Sequence, residues 1–191
     1  MVKTSNLIYR PQSVCSIDAS TNSLAFAIFN EKELQSYGKI IFSGSGTYEK
    51  VVDAAIKTLD FFNFYGTPEA VVIEHTVYLN SPKTAADLAL VQGALLGAMG
   101  RAGVKKIKSI NPIAWQTYLG NGRLQAKEKE GIRRANPNKS SSWYKNKERE
   151  FRKERTIGFI NTYYDKCIDD NDIADAIGIG HYAIYNWEKL T

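Results

Sequence analysis

Three short apolar runs follow one another near the start of the chain. Residues 14–19, 24–29 and 37–42 contain β-branched and aromatic residues, and polar turn-forming clusters separate them. Three strands with such tight connections predict an antiparallel meander. A Ser-Gly-Ser-Gly run at 43–46 then breaks the chain, and residues 48–64 carry apolar side chains at helical spacing, which predicts a first helix.

The middle of the chain alternates between strand and helix signals. Residues 70–73 are apolar without alternation, as in a buried parallel strand. Pro82 opens a long helix that is predicted to reach about residue 101, with alanine and glycine on several faces. Residues 105–110 predict a fifth strand, and Asn111 is placed to cap a short helix after it. This order predicts a mixed α/β fold in which a meander joins parallel strands.

The last third of the chain has a different character. Residues 123–150 show no sustained period and are rich in charge, Asn and Ser, which indicates a mobile basic loop or a small inserted element. A basic amphipathic helix is predicted over about 147–164, and a more apolar helix over about 170–187. We therefore expect a single domain over residues 1–191, with a basic insertion at about 121–150.

Composition places the chain among ordinary globular proteins. Its 191 residues are 43% hydrophobic and 24% charged, and a chain of this length can bury a core. No apolar run approaches the roughly 18 residues of a membrane span, and the first residues lack the apolar stretch of a secretory signal. Cys15 and Cys167 lie in or beside apolar stretches and are expected to be buried free thiols, which favours a cytoplasmic setting.

The net charge of +5 hides an asymmetry. Residues 123–155 hold 12 Lys and Arg against five Glu, a net charge of +7, so the remainder of the chain carries −2. A basic segment of this kind is typical of a surface that binds a polyanion, because each contact to a phosphate releases counterions. A solvated charged loop is the alternative. The basic residues expected to bind nucleic acid are Lys127, Arg133, Arg134, Lys139, Lys145 and Lys147.

Acidic residues end two apolar runs and begin a third segment. Asp18 ends Val-Cys-Ser-Ile-Asp, Glu74 ends Ala-Val-Val-Ile-Glu, and the last predicted helix begins with Asp172 and Asp175. Singly, each has an ordinary interpretation: Asp18 as a turn cap, Glu74 as the partner of a surface lysine, Asp172 as a helix cap. Jointly, carboxylates at neighbouring strand ends and on one helical face predict a site for Mg²⁺ or Mn²⁺. Such a site is typical of a metal-dependent nuclease.

The order and spacing of these motifs resemble the RuvC family of Holliday junction resolvases, within the RNase H-like superfamily. The likeness spans about residues 14–187. It is carried by Ser-Ile-Asp-Ala-Ser from Ser16, by Val-Ile-Glu-His-Thr-Val-Tyr from Val72, and by Asp-Ile-Ala-Asp-Ala-Ile-Gly-Ile from Asp172. The resemblance implies an RNase H-like fold, in which helices flank a mixed five-stranded sheet.

The resemblance also implies a specific activity and site. It would make Asp18, Glu74, Asp172 and Asp175 the ligands of a Mg²⁺ pair, for which Mn²⁺ can substitute. It would make the protein a homodimer that cuts two opposed strands of a four-way DNA junction. Tyr78 falls at or next to the family's aromatic residue that inserts against unpaired bases, a contact worth roughly 1–3 kcal/mol per base. A half-exposed loop tyrosine is the alternative for Tyr78.

The chain departs from the family's pattern at several points. The family usually has Asp-Pro-Gly at the first acid, where this chain has Asp-Ala-Ser from Asp18. Trp115 stands where a lysine is expected, and a second expected lysine corresponds to Lys127, Lys145 or Lys147. The insertion suggests a divergent, phage-encoded branch.

Three other interpretations stay open. A related RNase H-like nuclease would act on branched, hybrid or packaging nucleic acid. The run Ile-Asp-Ala-Ser-Thr from Ile17 also resembles the first phosphate loop of actin-like ATPases and sugar kinases, although 191 residues without a second such motif are few for that fold. The third is a DNA-binding protein without chemistry, and the presence of all four acids argues against it.

The two histidines are assigned other roles. His181 is expected in the core or in an interface, because it lies off the helical face that carries the acids. His75 directly follows Glu74 and is expected on the opposite side of the strand.

Overall fold

The computed structural model describes residues 10–75 and 81–190. The strands are β1 (Ser13–Ala19), β2 (Ser23–Asn30), β3 (Glu33–Ile41), β4 (Ala70–Glu74) and β5 (Ile107–Ile110). The helices are α1 (Thr47–Tyr65), α2 (Pro82–Arg101), α3 (Pro112–Tyr118), α4 (Ala126–Ala135), α5 (Ser141–Tyr164) and α6 (Asn171–Tyr185), and a short 3-10 helix (Trp187–Lys189) follows. None of the helices in these two ranges has the length and apolar character that crossing a bilayer requires.

The predicted mixed five-stranded sheet is confirmed. Its strand order is β3-β2-β1-β4-β5. The pairs β1–β2 and β2–β3 are antiparallel, as in the predicted meander, whereas β1–β4 and β4–β5 are parallel. The register pairs Ile17 with Ile73 across β1 and β4. The next residue of each strand is acidic, so Asp18 and Glu74 lie side by side at the carboxyl ends of these two parallel strands.

The sheet separates two cores, and strand alternation decides which of them each side chain faces. Along β1, Val14 packs in the core under α6, and Ile17 packs in the opposite core with residues of α1 and α2. Since successive side chains of a strand point to opposite faces, Asp18 points to the α6 side. Val72 of β4 also belongs to the α6 core, so the same alternation places Glu74 there.

Helix α6 lies very close to the sheet because it carries glycine at the point of contact. A Cβ atom on Gly180 would overlap the Phe29 ring and would lie 2.5 Å from Ser16 Oγ. The buried Ser16 hydroxyl donates a hydrogen bond to the Ala176 carbonyl at 2.7 Å. These contacts fix the distance between the middle of α6 and the middle of β1.

Replacing Gly180 with alanine tests this close approach. We expect Gly180→Ala to lower the free energy of unfolding by about 1–3 kcal/mol, because an added methyl group has no space beside Phe29. Gly158→Ala in α5 is the control, since a Cβ there meets nothing within 4 Å and alanine is the better helix former. Urea unfolding followed by circular dichroism measures both variants. Equal stability of the two would contradict the packing described.

Of the two interpretations of the basic segment, the mobile loop is wrong, and the structure favours the small inserted element. Residues 126–135 form α4, and α5 begins at Ser141, earlier than predicted, so the segment is a pair of helices. Helix α4 has no buried residue and therefore lacks the apolar period that reveals a helix. Local contacts support it instead. The Glu128 carboxylate accepts a hydrogen bond from the Gln125 backbone N–H at 2.6 Å, as in a capping box, and another from Arg155 of α5.

Two smaller expectations are wrong. Cys167 is exposed, although Cys15 is buried as predicted. The cap of α6 is Asp170, not the alternative Asp172, because the Asp170 carboxylate accepts hydrogen bonds from the backbone N–H groups of Asp172 and Ile173. The interpretation of Asp172 as the helix cap is therefore wrong.

Candidate active site

The four acidic residues that were predicted to form a site line one cleft. Asp18 and Glu74 come from adjacent parallel strands, and Asp172 and Asp175 come from the first turns of α6. The cleft has a volume of about 290 Å³, and we call it the acidic cleft. Its other lining residues are Ser20, Gln116, Asn121, Arg149, Arg152 and Lys153.

The carboxylates of the acidic cleft repel one another in a partly buried setting. Burial and the charges of the three other carboxylates raise the pKa of Asp18 well above its usual range. Burial, followed by the charge of Glu74, raises the pKa of Asp175 to about 7. The positive charge of Lys153 opposes both shifts. Repulsion of this kind is relieved when a divalent cation binds between the carboxylates.

Glu74 is oriented by Trp115 of α3. The buried indole donates a hydrogen bond from Nε1–H to Glu74 Oε1 at 2.8 Å. Burial raises the pKa of Glu74, and this hydrogen bond opposes the rise. The same ring lies under α6, where a Cβ atom on Gly178 would be 2.9 Å from Trp115 Cζ3. One side chain therefore contacts the carboxylate of β4 and limits how closely α6 approaches it. Trp115 is a neutral hydrogen-bond donor at the position where the RuvC resemblance predicts a lysine.

Lys39 of β3 is a site residue that sequence reasoning missed. Its ammonium nitrogen lies 2.6 Å from Asp172 Oδ2 and 3.1 Å from Asp170 Oδ2. Burial lowers the pKa of Lys39, but its hydrogen bonds to these two carboxylates raise it by more, so the side chain stays charged. It links the edge strand of the sheet to the start of α6. The sequence does not indicate this role. Lysine is common on edge strands, where its charge prevents pairing with the sheet of another molecule, so a lysine at this position does not point to a site.

The donor set of the acidic cleft fits a hard divalent cation. Its four candidate ligands are all carboxylates, the oxygen donors that Mg²⁺ and Mn²⁺ prefer. Across residues 10–75 and 81–190, no three Asp, Glu, His or Cys side chains are grouped closely enough to hold an ion. Two of the carboxylates already have partners within the protein: Glu74 accepts a hydrogen bond from Trp115, and Asp172 forms an ion pair with Lys39. Cation binding therefore has to compete with the Lys39 ion pair.

The six basic residues that were predicted to bind nucleic acid lie on or between α4 and α5. None of them lines the acidic cleft, to which α5 instead contributes Arg149, Arg152 and Lys153. Lys145 lines a second cleft between α4 and α5, which we call the cationic cleft. Its lining residues are Arg123, Leu124, Lys129, Lys145, Glu148, Arg149 and Arg152.

Salt bridges and aromatic contacts engage most of the other predicted basic residues. Arg134 pairs with Glu130, and Lys147 pairs with Glu150. The Arg133 guanidinium lies 5.9 Å from the centre of the Tyr144 ring, and Lys139 Nζ lies 5.8 Å from that of Trp143. Lys127 is exposed on α4. Tyr78, the predicted base-stacking residue, lies outside the described residues.

Neither histidine belongs to the acidic cleft. His181 is buried, as predicted for a core residue, and its Nδ1 lies 2.8 Å from the Tyr164 hydroxyl. Burial lowers the pKa of His181 to about 4, so the ring is neutral at physiological pH. His75 is exposed, and its backbone N–H donates to the Ile110 carbonyl. The candidate cation ligands of the acidic cleft are therefore carboxylates alone.

The sequence matches no protein-family model and no curated protein. Solved structures do share its fold. Thermus thermophilus RuvC in complex with a Holliday junction substrate has a TM-score of 0.66 and 17% identity, covering 93% of this chain and 96% of that one. A second T. thermophilus RuvC structure has a TM-score of 0.62 and 16% identity, covering 92% and 96%. The yeast mitochondrial Holliday junction resolvase Ydc2 has a TM-score of 0.54 and 13% identity, covering 94% and 80%. The RNase H-like fold that the RuvC resemblance implied is therefore confirmed.

Proposed function

We propose that the protein is a divalent-metal-dependent endonuclease that resolves four-way DNA junctions. The observation that carries this proposal is the acidic cleft, where four carboxylates from β1, β4 and α6 meet beside basic side chains of α5. A junction substrate is further supported by the T. thermophilus RuvC structure, which contains a Holliday junction. The basic helices α4 and α5 supply the positive charge that contacts to DNA phosphates require.

The residues of the acidic cleft would hold the cations and the reacting phosphate together. Asp18, Glu74, Asp172 and Asp175 would bind Mg²⁺ or Mn²⁺, which when bound supplies Lewis-acid stabilisation of the phosphate's charge. Trp115 fixes the orientation of one of these carboxylates through its hydrogen bond. Lys153, whose charge acts on two of them, would stabilise negative charge that develops on the phosphate during cleavage.

We further infer that the protein forms a homodimer through α2. One face of this helix exposes small and apolar residues at intervals of three and four: Ala86, Ala89, Leu90, Gly93, Leu96, Gly97 and Gly100. The opposite face packs into the core through Val91, Leu95 and Met99. Among the described residues, nothing lies within 4 Å of a Cβ atom built on Gly93, Gly97 or Gly100. The packing within one subunit therefore leaves space at these glycines, whereas a second helix at close range would need it.

A charged residue at Gly97 tests the proposed interface. We expect Gly97→Arg to convert a dimer into a monomer, because the interface would have to bury an unpaired charge. Stability of the subunit should not fall, since arginine is a better helix former than glycine. Sedimentation velocity measures the change, with Gly158→Arg on the exposed face of α5 as the control that stays dimeric. A monomeric wild-type protein, or a dimeric Gly97→Arg variant, would contradict an interface at α2.

The nuclease proposal is tested with a synthetic four-way junction and a linear duplex of the same sequence, each with and without Mg²⁺. We expect paired nicks on two opposed strands of the junction, an uncut duplex, and no product without Mg²⁺. Cutting of an RNA–DNA hybrid or a flap in place of the junction would identify a different nuclease on the same fold. Failure to cut any of these nucleic acids would contradict the proposal.

A further inference from the structure

The cationic cleft between α4 and α5 adjoins the acidic cleft. Arg149 and Arg152 line both of them. Lys145, Arg149 and Arg152 are four and three residues apart, which places them on one face of α5. This face therefore extends from the carboxylates towards α4, in a cleft of about 390 Å³.

Most cations of the cationic cleft form no direct ion pair, although Arg149 and Arg152 also line the acidic cleft and the charge of Arg152 acts on Asp175. Five of its lining side chains are cationic and one is acidic. That one, Glu148, pairs with Lys129 at 3.4 Å. Over the part of the chain that the structure describes, the other four cations (Arg123, Lys145, Arg149 and Arg152) form no salt bridge.

Arg152 gives a second, independent indication of a missing ligand. Its Nε–H is buried and has no hydrogen-bond partner among the described residues. Buried polar groups in folded proteins almost always have a partner, and a charged group without one is costly. A ligand with several acceptor oxygens would satisfy this donor and balance the surrounding charge. Guanidinium groups match phosphate oxygens particularly well, because two N–H donors can bind two oxygens at once.

We infer that the cationic cleft binds a backbone phosphate of the cleaved DNA strand, adjacent to the phosphate that occupies the acidic cleft. The inference rests on the proposed nuclease function. Phosphates repeat along a strand, and Arg149 and Arg152 line both clefts, so they are placed to hold the phosphate next to one that lies at the carboxylates. Arg149 and Arg152 would hold that neighbour and keep the strand in register. Such contacts position DNA without reading its sequence.

Neutral substitutions in the cleft test the inference on the full chain. We expect Arg149→Gln/Arg152→Gln to weaken binding to a four-way junction about ten-fold. The slope of log affinity against log salt concentration should become shallower by about 1–2, which corresponds to about one or two lost phosphate contacts. Fluorescence anisotropy in Ca²⁺, at several salt concentrations, measures both quantities. Arg149→Gln alone guards against misfolding, because Arg149 is exposed. The control with the same charge change is Lys32→Gln/Lys105→Gln, two exposed lysines at the end of the sheet opposite the acids, between β2 and β3 and before β5.

Methylphosphonate linkages, which are uncharged, identify the phosphate directly. Each linkage is placed singly at a different position around the mapped cleavage site. At one position the linkage should weaken junction binding by the wild-type protein but not by Arg149→Gln/Arg152→Gln. If the wild-type protein cuts the junction, and the variants and all neutral linkages behave like the control, the cationic-cleft assignment is overturned while the nuclease proposal stands. If the wild-type protein does not bind the junction, the nuclease proposal itself fails, and this assignment fails with it.

Discussion

Asp18→Asn should leave junction binding intact and reduce cleavage by at least about a hundred-fold. The substitution keeps the size of the side chain but removes a charge from the centre of the acidic cleft, where three other carboxylates act on Asp18. Metal ions contribute several kcal/mol to phosphate transfer, and each factor of ten in rate corresponds to about 1.4 kcal/mol. Binding is retained because a lost negative charge reduces repulsion of the DNA backbone.

Asp169→Asn is the matched control for this loss. Asp169 is an exposed aspartate just before α6, and it does not line the acidic cleft. Single-turnover cleavage of a labelled junction separates the chemical step from product release, and a binding assay in Ca²⁺ gives the affinity. Cleavage by Asp18→Asn at the wild-type rate would exclude Asp18 from the site. Loss of binding together with cleavage would instead indicate that the fold depends on Asp18.

Asp175→Asn should stabilise the protein in the presence of a metal chelator, and this effect should depend on pH. The folded state raises the pKa of Asp175 from 3.8 to about 7. The folded protein therefore binds more protons than the unfolded chain between these values, so the Asp175 carboxyl contributes stability at low pH that is lost as the pH rises through 7. Replacing it with neutral asparagine should raise the unfolding free energy by roughly 1–3 kcal/mol at pH 8. Near pH 4 the difference should disappear.

Urea unfolding of the wild-type protein and Asp175→Asn at pH 4 and pH 8, in chelator, measures this difference. Adding Mg²⁺ at pH 8 should stabilise the wild-type protein more than the variant, because only the folded wild-type site binds the ion well. Comparing the two proteins at each pH cancels the contribution of titrating groups that do not interact with Asp175, such as His181. Equal stability at pH 8 in chelator would show that the carboxylates do not repel one another as described. A functional site that lowers stability is a common cost of activity.

The sheet and the acids at its edge could be predicted because their signals are local and periodic. The apolar runs that end at Asp18 and Glu74 indicate strands, and alternation along those strands decides which side the acids face. Asp172 and Asp175 are three residues apart on a helix, a spacing that puts them on one face in any fold. The pairing of β1 with β4 and the docking of α6 on the sheet were then needed to bring the three segments together.

The contacts around the carboxylates could not be predicted, because they join residues far apart in sequence. Nothing near Lys39 indicates that it reaches Asp172, and nothing near Trp115 indicates that it donates to Glu74. Helix α4 was missed for a different reason. Its side chains are polar on every face, so its stability depends on a capping contact and on Arg155 of α5 instead of a buried stripe. In the sequence, a polar helix of this kind appears as a cluster of charged residues without the regular spacing of apolar residues that indicates a helix.

Titration of Mn²⁺ into the protein, followed by electron paramagnetic resonance of the free ion, tests most directly whether the four carboxylates form one metal site. The wild-type protein should remove Mn²⁺ from solution in a saturable manner, and Mg²⁺ should compete for the same site. Asp18→Asn and Asp175→Asn should each weaken this binding strongly, although they come from a strand and a helix that are distant in sequence, and Asp169→Asn should not. Binding of Mn²⁺ that is equal in the wild-type protein and both variants would contradict a shared metal site.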